Sequence, residues 1–287
     1  MEIRIGTRKS QLAMAQTYLV MEEIRRIDPS IEIEIVSLST KGDKILDKPL
    51  LSFGGKGVFV EEFESKIKEN EIDIAVHSAK DMPMVLLDGL SIVSVLKREE
   101  PCDALIMRKG DVWDKNRHTV IGTSSLRRKM QIERLGDVEC QDLRGNVNTR
   151  LKKLEDGEYD GIILAMAGLK RLNLHNDQRF TVTPFSTDTF IPAGGQGIIA
   201  VEGREDSPFS ELFKQMDHAK TRTELLFERK VLENLSAGCH EPIGVFSFVE
   251  NENLTGYLMR ENQIHTITGP KSNYKELALE LSRKGII

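Results

Sequence analysis

Two kinds of hydrophobic pattern alternate along the chain: short apolar or alternating runs that suit strands, and longer stretches whose apolar residues recur about once per helical turn. Ile3 to Ile5 reads as a short strand. From Ser10 to Ile27, Leu12, Ala15, Leu19 and Ile24 mark one helical face until Asp28 and Pro29 stop the pattern. Ile31 to Leu38 alternates apolar and acidic residues, as a half-exposed strand does. A glycine-rich segment from Lys41 to Gly57 follows, then a predicted helix over Val58 to Glu69 and a buried strand over Ile72 to Val76. The alternation continues to the end of the chain and predicts α/β architecture with mixed or parallel sheets.

The opening plan recurs between Val120 and Leu135. Ile121-Gly122-Thr123 echoes Ile5-Gly6-Thr7, each ahead of a polar residue and an amphipathic helix, and Tyr159 to Ala165 matches Ile72 to Ser78 in apolar register. Two similarly built lobes around a cleft are the expectation. Pro184 to Gly203 holds the breaker-rich PAGGQG and a strand pattern at Ile198 to Val201, a crossover expected to return the chain to the first lobe. Glu205 to Asn234 is helical and charged. Strand patterns at Ile243 to Val249, Leu254 to Met259 and Gln263 to Thr268 precede a last helix near Tyr274 to Arg283. The expected division is residues 1–95 with 190–212 as one domain, 96–189 as a second, and 213–287 as a small third α/β domain.

Composition narrows the partners. Forty Lys and Arg against 45 Asp and Glu give a net charge of −5, which argues against broad nucleic-acid or anionic-membrane binding and makes any anion site local. The longest nearly apolar stretch, Gly161 to Leu169, is far short of the roughly 20 residues a membrane helix needs. Charges at Glu2, Arg4, Arg8 and Lys9 interrupt the opening residues, so a signal-peptide core is absent there and a cytoplasmic protein is expected. Cys102, Cys140 and Cys239 are too few and too scattered for a disulfide framework or a paired-cysteine metal site. Reduced thiols and no metal are expected.

Gly-Thr turns that lead from a strand into a helix present free backbone N–H groups at a helix N-terminus, where anions are favoured. Such turns occur at Gly6 to Ser10 and at Gly122 to Arg128, and LRGNVNTR adds a third between Leu143 and Arg150. They gather Arg8, Lys9, Arg127, Arg128, Arg144 and Arg150. Taken singly, each arginine reads as solvated surface and Ser124 and Asn146 read as helix caps. As a set they read as a site for a multiply charged anion, because the planar guanidinium suits carboxylates and phosphates.

A second constellation is AVHSAKDMP. It sets Ser78, Lys80 and Asp81 at the carboxyl end of a buried-type strand, where open α/β sheets hold ligands. Asp81 reads either as a turn residue before Pro83 or as a functional carboxylate able to stabilise a developing cation and pass a proton. His77 reads as a satisfied core histidine rather than a base. In SAGCHEPIG, Cys239 beside His240 reads by itself as a small buried hydrophobe, since adjacency to a histidine does not create a nucleophile with an oriented base.

IGTRKSQLAMAQ, the KGD and GGKGVFVEEFE pair, AVHSAKDMP, IGTSSLRRKMQ, DLRGNVNTRL, ILAMAGLKRL, PAGGQGIIAVEGR and SAGCHEPIG, in this order from residue 3 to about 244, closely resemble the porphobilinogen deaminase (hydroxymethylbilane synthase) family. The resemblance implies two lobes like type II periplasmic binding proteins around a cleft, plus a small third domain. It implies a transferase of tetrapyrrole and heme biosynthesis that condenses four porphobilinogen molecules head to tail with loss of ammonia, then releases linear hydroxymethylbilane by hydrolysis. A dipyrromethane cofactor, bound by a thioether, would be attached at Cys239. Lys80, Asp81, Ser125, Arg127, Arg128, Arg144 and Arg150 would hold that cofactor, and Asp81 would be the catalytic aspartate. Arg8, Ser10 and Arg171 would receive the substrate's carboxylates, sharing the task with Arg144 and Arg150. Lys41 to Gly57 would be a cleft-covering loop from which Lys56 reaches the substrate, and a monomer is implied. His240-Glu241 departs from the residues usual after this cysteine. A rival reading is a non-enzymatic two-lobe binder of small dicarboxylates.

Overall fold

A computed structural model of the chain describes residues 1–38, 60–237 and 241–286. The first lobe begins with β1 (Glu2–Arg8), α1 (Gln11–Ile27) and β2 (Glu32–Leu38), followed by α2 (Glu61–Lys68), β3 (Ile74–Ser78) and β4 (Leu90–Val95). The second contains β5 (Asp103–Arg108), β6 (Thr119–Gly122), α3 (Leu126–Glu133), β7 (Val138–Gln141), α4 (Val147–Glu155), β8 (Gly161–Ala165), α5 (Met166–Arg171) and β9 (Phe180–Pro184). The chain then returns as β10 (Ile199–Arg204) and α6 (Ser210–Met216). A last unit comprises α7 (Ala219–Asn234), β11 (Gly244–Glu250), β12 (Asn253–Arg260), β13 (Gln263–Pro270) and α8 (Tyr274–Lys284).

The two lobes share one topology. Among the described residues the sheet orders are β2-β1-β3-β10-β4 and β7-β6-β8-β5-β9. In each, a parallel trio is joined by an antiparallel strand whose chain has just crossed from the other lobe: β10 beside β3, and β5 beside β8. Residues 96–102 and 185–198 make the two crossings. The sequence echo acquires a packing reason here. A Cβ on Gly6 would stand 2.4 Å from Ile72 Cδ1, and one on Gly122 would stand 2.9 Å from Tyr159 Cδ1, so β1 and β6 each carry a glycine at the equivalent close approach.

Both lobe sheets are covered on two faces. In the first, Ile3, Ile5, Ile74, Val76, Val201 and Phe213 pack towards α1 and α6, while Phe63, Ile67, Ile72 and Ala75 pack with α2. In the second, Ala104 and Ile106 face one core and Leu105 and Met107 the other, the period-2 alternation of a strand buried on both sides. Phe227 and Val231 of α7 and Ala278 and Leu281 of α8 pack against the antiparallel sheet β11-β12-β13.

Three expectations shift. The strand predicted at Ile3 to Ile5 runs to Arg8, because its parallel ladder with β2 continues to the Arg8 and Leu38 pair. The single helical stretch over Glu205 to Asn234 is two helices. Asp217 is extended, accepts from Val95 N at 2.8 Å and pairs with Arg222, turning the chain from the first lobe to the last unit. The helix expected over Val58 to Glu69 is described from Glu61; Val58 and the Lys41 to Gly57 segment lie outside the described residues. No described helix is long and apolar enough to cross a membrane.

Candidate active site

Strand ends and helix starts deliver the charged groups. β3 stops at Ser78, whose Oγ accepts from Gln16 Nε2 at 2.8 Å, and a single 3-10 turn carries Ala79, Lys80 and Asp81. Ala79 N donates to Ile198 O at 3.0 Å, so the second crossing anchors this turn. Asp81 is exposed, and its carboxylate has no hydrogen bond or ion pair among the described residues. His77 points into the core, with Nε2 3.0 Å from Glu202 Oε2 and its ring edge-on to Phe63, as a satisfied histidine should be.

On the second lobe, β6 ends at Gly122 and α3 begins after Ser125, whose Oγ accepts from Arg128 N. The cap is therefore Ser125; Ser124, the residue expected there, instead exchanges two hydrogen bonds with the Leu143 backbone. Arg127 and Arg128 are only 5% and 7% exposed, which overturns the solvated reading for these two. Arg127 Nη1 donates to Asp103 Oδ2 and to Ile191 O, each at 2.7 Å. Arg128 donates through Nη2 at 2.7 Å and Nε at 3.0 Å to Asp103 Oδ1, and through Nη1 to Ile163 O at 3.0 Å.

Arg144 precedes Gly145, whose φ of +110° lies in the left-handed region that favours glycine. Asn146 then caps α4, its side chain accepting from Thr149 N at 2.9 Å, as expected. Arg150 folds back so that Nε donates to Gly145 O at 2.7 Å. Its pKa is pushed down to about 10, first by burial and then by Arg128 and Arg144, with Asp81 opposing. The Lys80 ammonium is pushed down to about 8, again first by burial; Arg128 and Arg127 add to the fall while Asp81 and Asp103 resist it. The seam between the lobes thus brings together Lys80, Arg127, Arg128, Arg144 and Arg150 with two carboxylates, Asp81 and Asp103.

Arg171 closes α5 and donates through Nη2 to Gly197 O at 2.7 Å. Burial lowers its pKa to about 10, and its buried Nε has no hydrogen-bond partner among the described residues. Arg8 ends β1 half-buried, and the Ser10 hydroxyl accepts from Ala13 N as the cap of α1. A cavity of about 50 Å³ beside Lys80 is lined by Ala79, Gly194, Arg229, Leu232, Glu241 and Ile243, joining the turn to the last unit. Lys56 and Cys239 lie outside the described residues. Cys102 is buried and Cys140 half-buried; burial lifts their thiols to about 12 and about 11, which suits inert packing.

Pattern alone does not single out Asp103 or Gln196. Gln196 Nε2 donates to Asp103 Oδ1 at 3.0 Å and to Pro101 O at 2.8 Å, tying both crossings to the arginine pair. The one available hint is an acid opening the apolar strand Ala104 to Met107, a place where a carboxylate is buried only with partners.

More cations than anions and an unpartnered guanidinium N–H fit a ligand with several carboxylates, and the free Asp81 carboxylate just after β3 fits one that also carries N–H donors. A dipyrromethane with acetate and propionate side chains has that donor demand. Fold and site together define an α/β protein of two alike lobes whose seam gathers several cations and two carboxylates. Residues 3–211 match the family described as porphobilinogen deaminase, dipyromethane cofactor binding domain. A probable porphobilinogen deaminase of Picrophilus torridus is 41% identical over 287 residues, covering 100% of this chain and 98% of its own. The porphobilinogen deaminase of Acetivibrio thermocellus is 43% identical over 291 residues, covering 98% of this chain and 97% of its own. The chain belongs to the porphobilinogen deaminase family. It is a transferase of tetrapyrrole biosynthesis acting on porphobilinogen with a dipyrromethane cofactor, and the dicarboxylate-binder reading is not favoured.

Proposed function

We propose that Cys239 tethers the dipyrromethane, that Lys80, Ser125, Arg127, Arg128, Arg144 and Arg150 hold its carboxylates, and that Asp81 is the catalytic group. Arg8, Ser10, Arg171 and Lys56 receive the incoming porphobilinogen, with Arg144 and Arg150 shared. The observation that carries this reading is Asp81: a free carboxylate at the end of β3, electrostatically coupled to Lys80 and Arg150.

When bound, the dipyrromethane supplies the primer whose terminal pyrrole carbon accepts the next unit. Asp81 stabilises the positive charge that develops as the aminomethyl group loses ammonia, and accepts hydrogen bonds from pyrrole N–H groups as that charge grows. The guanidiniums neutralise carboxylates that increase with every unit added. Asp81 is also placed by this reading to accept the proton released when the new carbon–carbon bond restores the ring. The protein works as a monomer in the cytoplasm, without nucleic acid or membrane.

Intact mass of the denatured protein tests the tether: an adduct of two deaminated porphobilinogen units is expected, absent from Cys239→Ser. Asp81→Asn should keep the adduct and lose about 100-fold or more in turnover, the range of a removed electrostatic stabiliser. An adduct that survives Cys239→Ser removes the tether assignment, and near-normal turnover in Asp81→Asn removes Asp81 from the chemistry.

A further inference from the structure

The arginine pair raises a question that precedes catalysis: how two adjacent guanidiniums stay buried before any cofactor is attached. Asp103 supplies an answer in geometry. It opens β5 with 0% exposure, and each of its oxygens meets a different arginine, Oδ2 facing Arg127 and Oδ1 facing Arg128. Gln196, 93 residues away, adds a further donor to Oδ1 from the second crossing. Burial would raise the Asp103 pKa, but Arg127 and Arg128 more than offset it and hold the carboxyl well below the usual range. The group is therefore a fixed anion across the working pH range.

One carboxylate cannot neutralise two guanidiniums. Arg127 engages Asp103 through Nη1 alone, and Arg128 engages it through Nε and one N–H of Nη2. Each guanidinium has further N–H groups beyond these bonds, on a fork whose position Asp103 has already set. Lys80 adds a further cation that feels both arginines.

We propose that Asp103 is a positioning residue that acts as the resident counter-anion of the cofactor site: it lets the adduct-free chain fold with its arginine pair buried and leaves one excess positive charge for a cofactor carboxylate. The inference rests on the reading of Arg127 and Arg128 as cofactor-holding residues. That reading is checked separately by whether the unaltered chain carries the adduct.

The test compares thermal midpoints of four chains: unaltered, Asp103→Asn, Cys239→Ser, and Asp103→Asn with Cys239→Ser. A buried cation stripped of its partner is severely destabilised. Asp103→Asn should therefore lower the midpoint of the adduct-free Cys239→Ser chain by about 6 °C or more beyond its effect on the adduct-bearing chain, whose cofactor carboxylates take over the neutralisation. Asp103→Glu, which keeps the charge, should restore most of the adduct-free midpoint. Equal losses in the two backgrounds would make Asp103 an ordinary core residue and overturn the proposal. If the doubly altered chain does not fold, the comparison is read from folding itself: the Asp103→Asn chain that carries its adduct and the Asp103→Glu, Cys239→Ser chain should both still fold, and failure of the adduct-bearing Asp103→Asn chain to fold would overturn the proposal. An unaltered chain without adduct would instead defeat the cofactor reading itself.

Discussion

Glu228→Gln should unlock the junction between the lobes and the last unit. The Glu228 carboxylate on α7 is fully buried and accepts five hydrogen bonds: from Arg98 Nη1 at 2.6 Å and Nη2 at 3.2 Å, Gly195 N at 2.6 Å, Ser247 N at 2.8 Å and Ser247 Oγ at 3.0 Å. Arg98 lies on the first crossing and Gly195 on the second, so one side chain of the last unit grips both. A glutamine amide presents an NH2 group on one side whichever way it turns, so it opposes either Gly195 N and Arg98 Nη2, or Ser247 N and Arg98 Nη1. Breaking a buried ion pair costs about 3–5 kcal/mol. Glu224 Oε2 stays 3.8 Å from Arg98 Nη1 and softens the loss, which selects the lower end. At roughly 2–4 °C for each kcal/mol in a chain of this size, the thermal midpoint should fall by about 6–12 °C. Scanning calorimetry of the adduct-bearing protein measures it. Arg98→Met with Glu228→Leu should fall by less than the two single losses combined, since neither partner is left charged and alone. A Glu228→Gln midpoint within about 2 °C of the unaltered chain would refute the reasoning.

Two further outcomes follow from burial. Lys80 has its pKa lowered from 10.5 to about 8, so between those values the unfolded chain holds a proton that the folded chain has released. Stability from this group therefore rises with pH across that window. In the Cys239→Ser background, denaturant midpoints on either side of it should show a rise that Lys80→Met removes; identical pH profiles for the two chains would count against a buried ammonium. Gly122→Ala should cost about 1–3 kcal/mol, because its Cβ would meet Tyr159 Cδ1 at 2.9 Å and the ring is pinned by its hydroxyl donating to Asp142 O at 2.7 Å. Gly6→Ala should cost a comparable amount, since its Cβ would meet buried Ile72 Cδ1 at 2.4 Å and the buried Phe63 ring at 3.0 Å, and a urea midpoint left unchanged by either substitution would contradict this account.

Local chemistry was legible along the chain. The alternation of strand and helix patterns, the cap at Asn146, and the basic turns at Arg127, Arg128, Arg144 and Arg150 all depend on residues a few positions apart. The resemblance of eight blocks to one family also lay in the order of residues. Neither depends on which distant segments meet. The choice of Ser125 over Ser124 as a cap did depend on it, because Ser124 is drawn away by the Leu143 backbone, 19 residues on.

What the sequence alone determined is the kind of chemistry present: basic turns ahead of helices, a carboxylate after a buried strand, and the repeated Gly-Thr plan of two lobes. Only the tertiary structure decided which charges are paired with one another. Arg127 and Arg128 look alike in the sequence to Arg144 and Arg150, yet the first pair is hydrogen-bonded to Asp103 from 24 and 25 residues away, whereas the second pair makes no hydrogen bond or ion pair with a carboxylate among the described residues and Arg150 feels Asp81 only at longer range. The physical reason is that a buried charge is tolerable only beside its opposite, and no periodicity records which distant strand the fold will bring alongside.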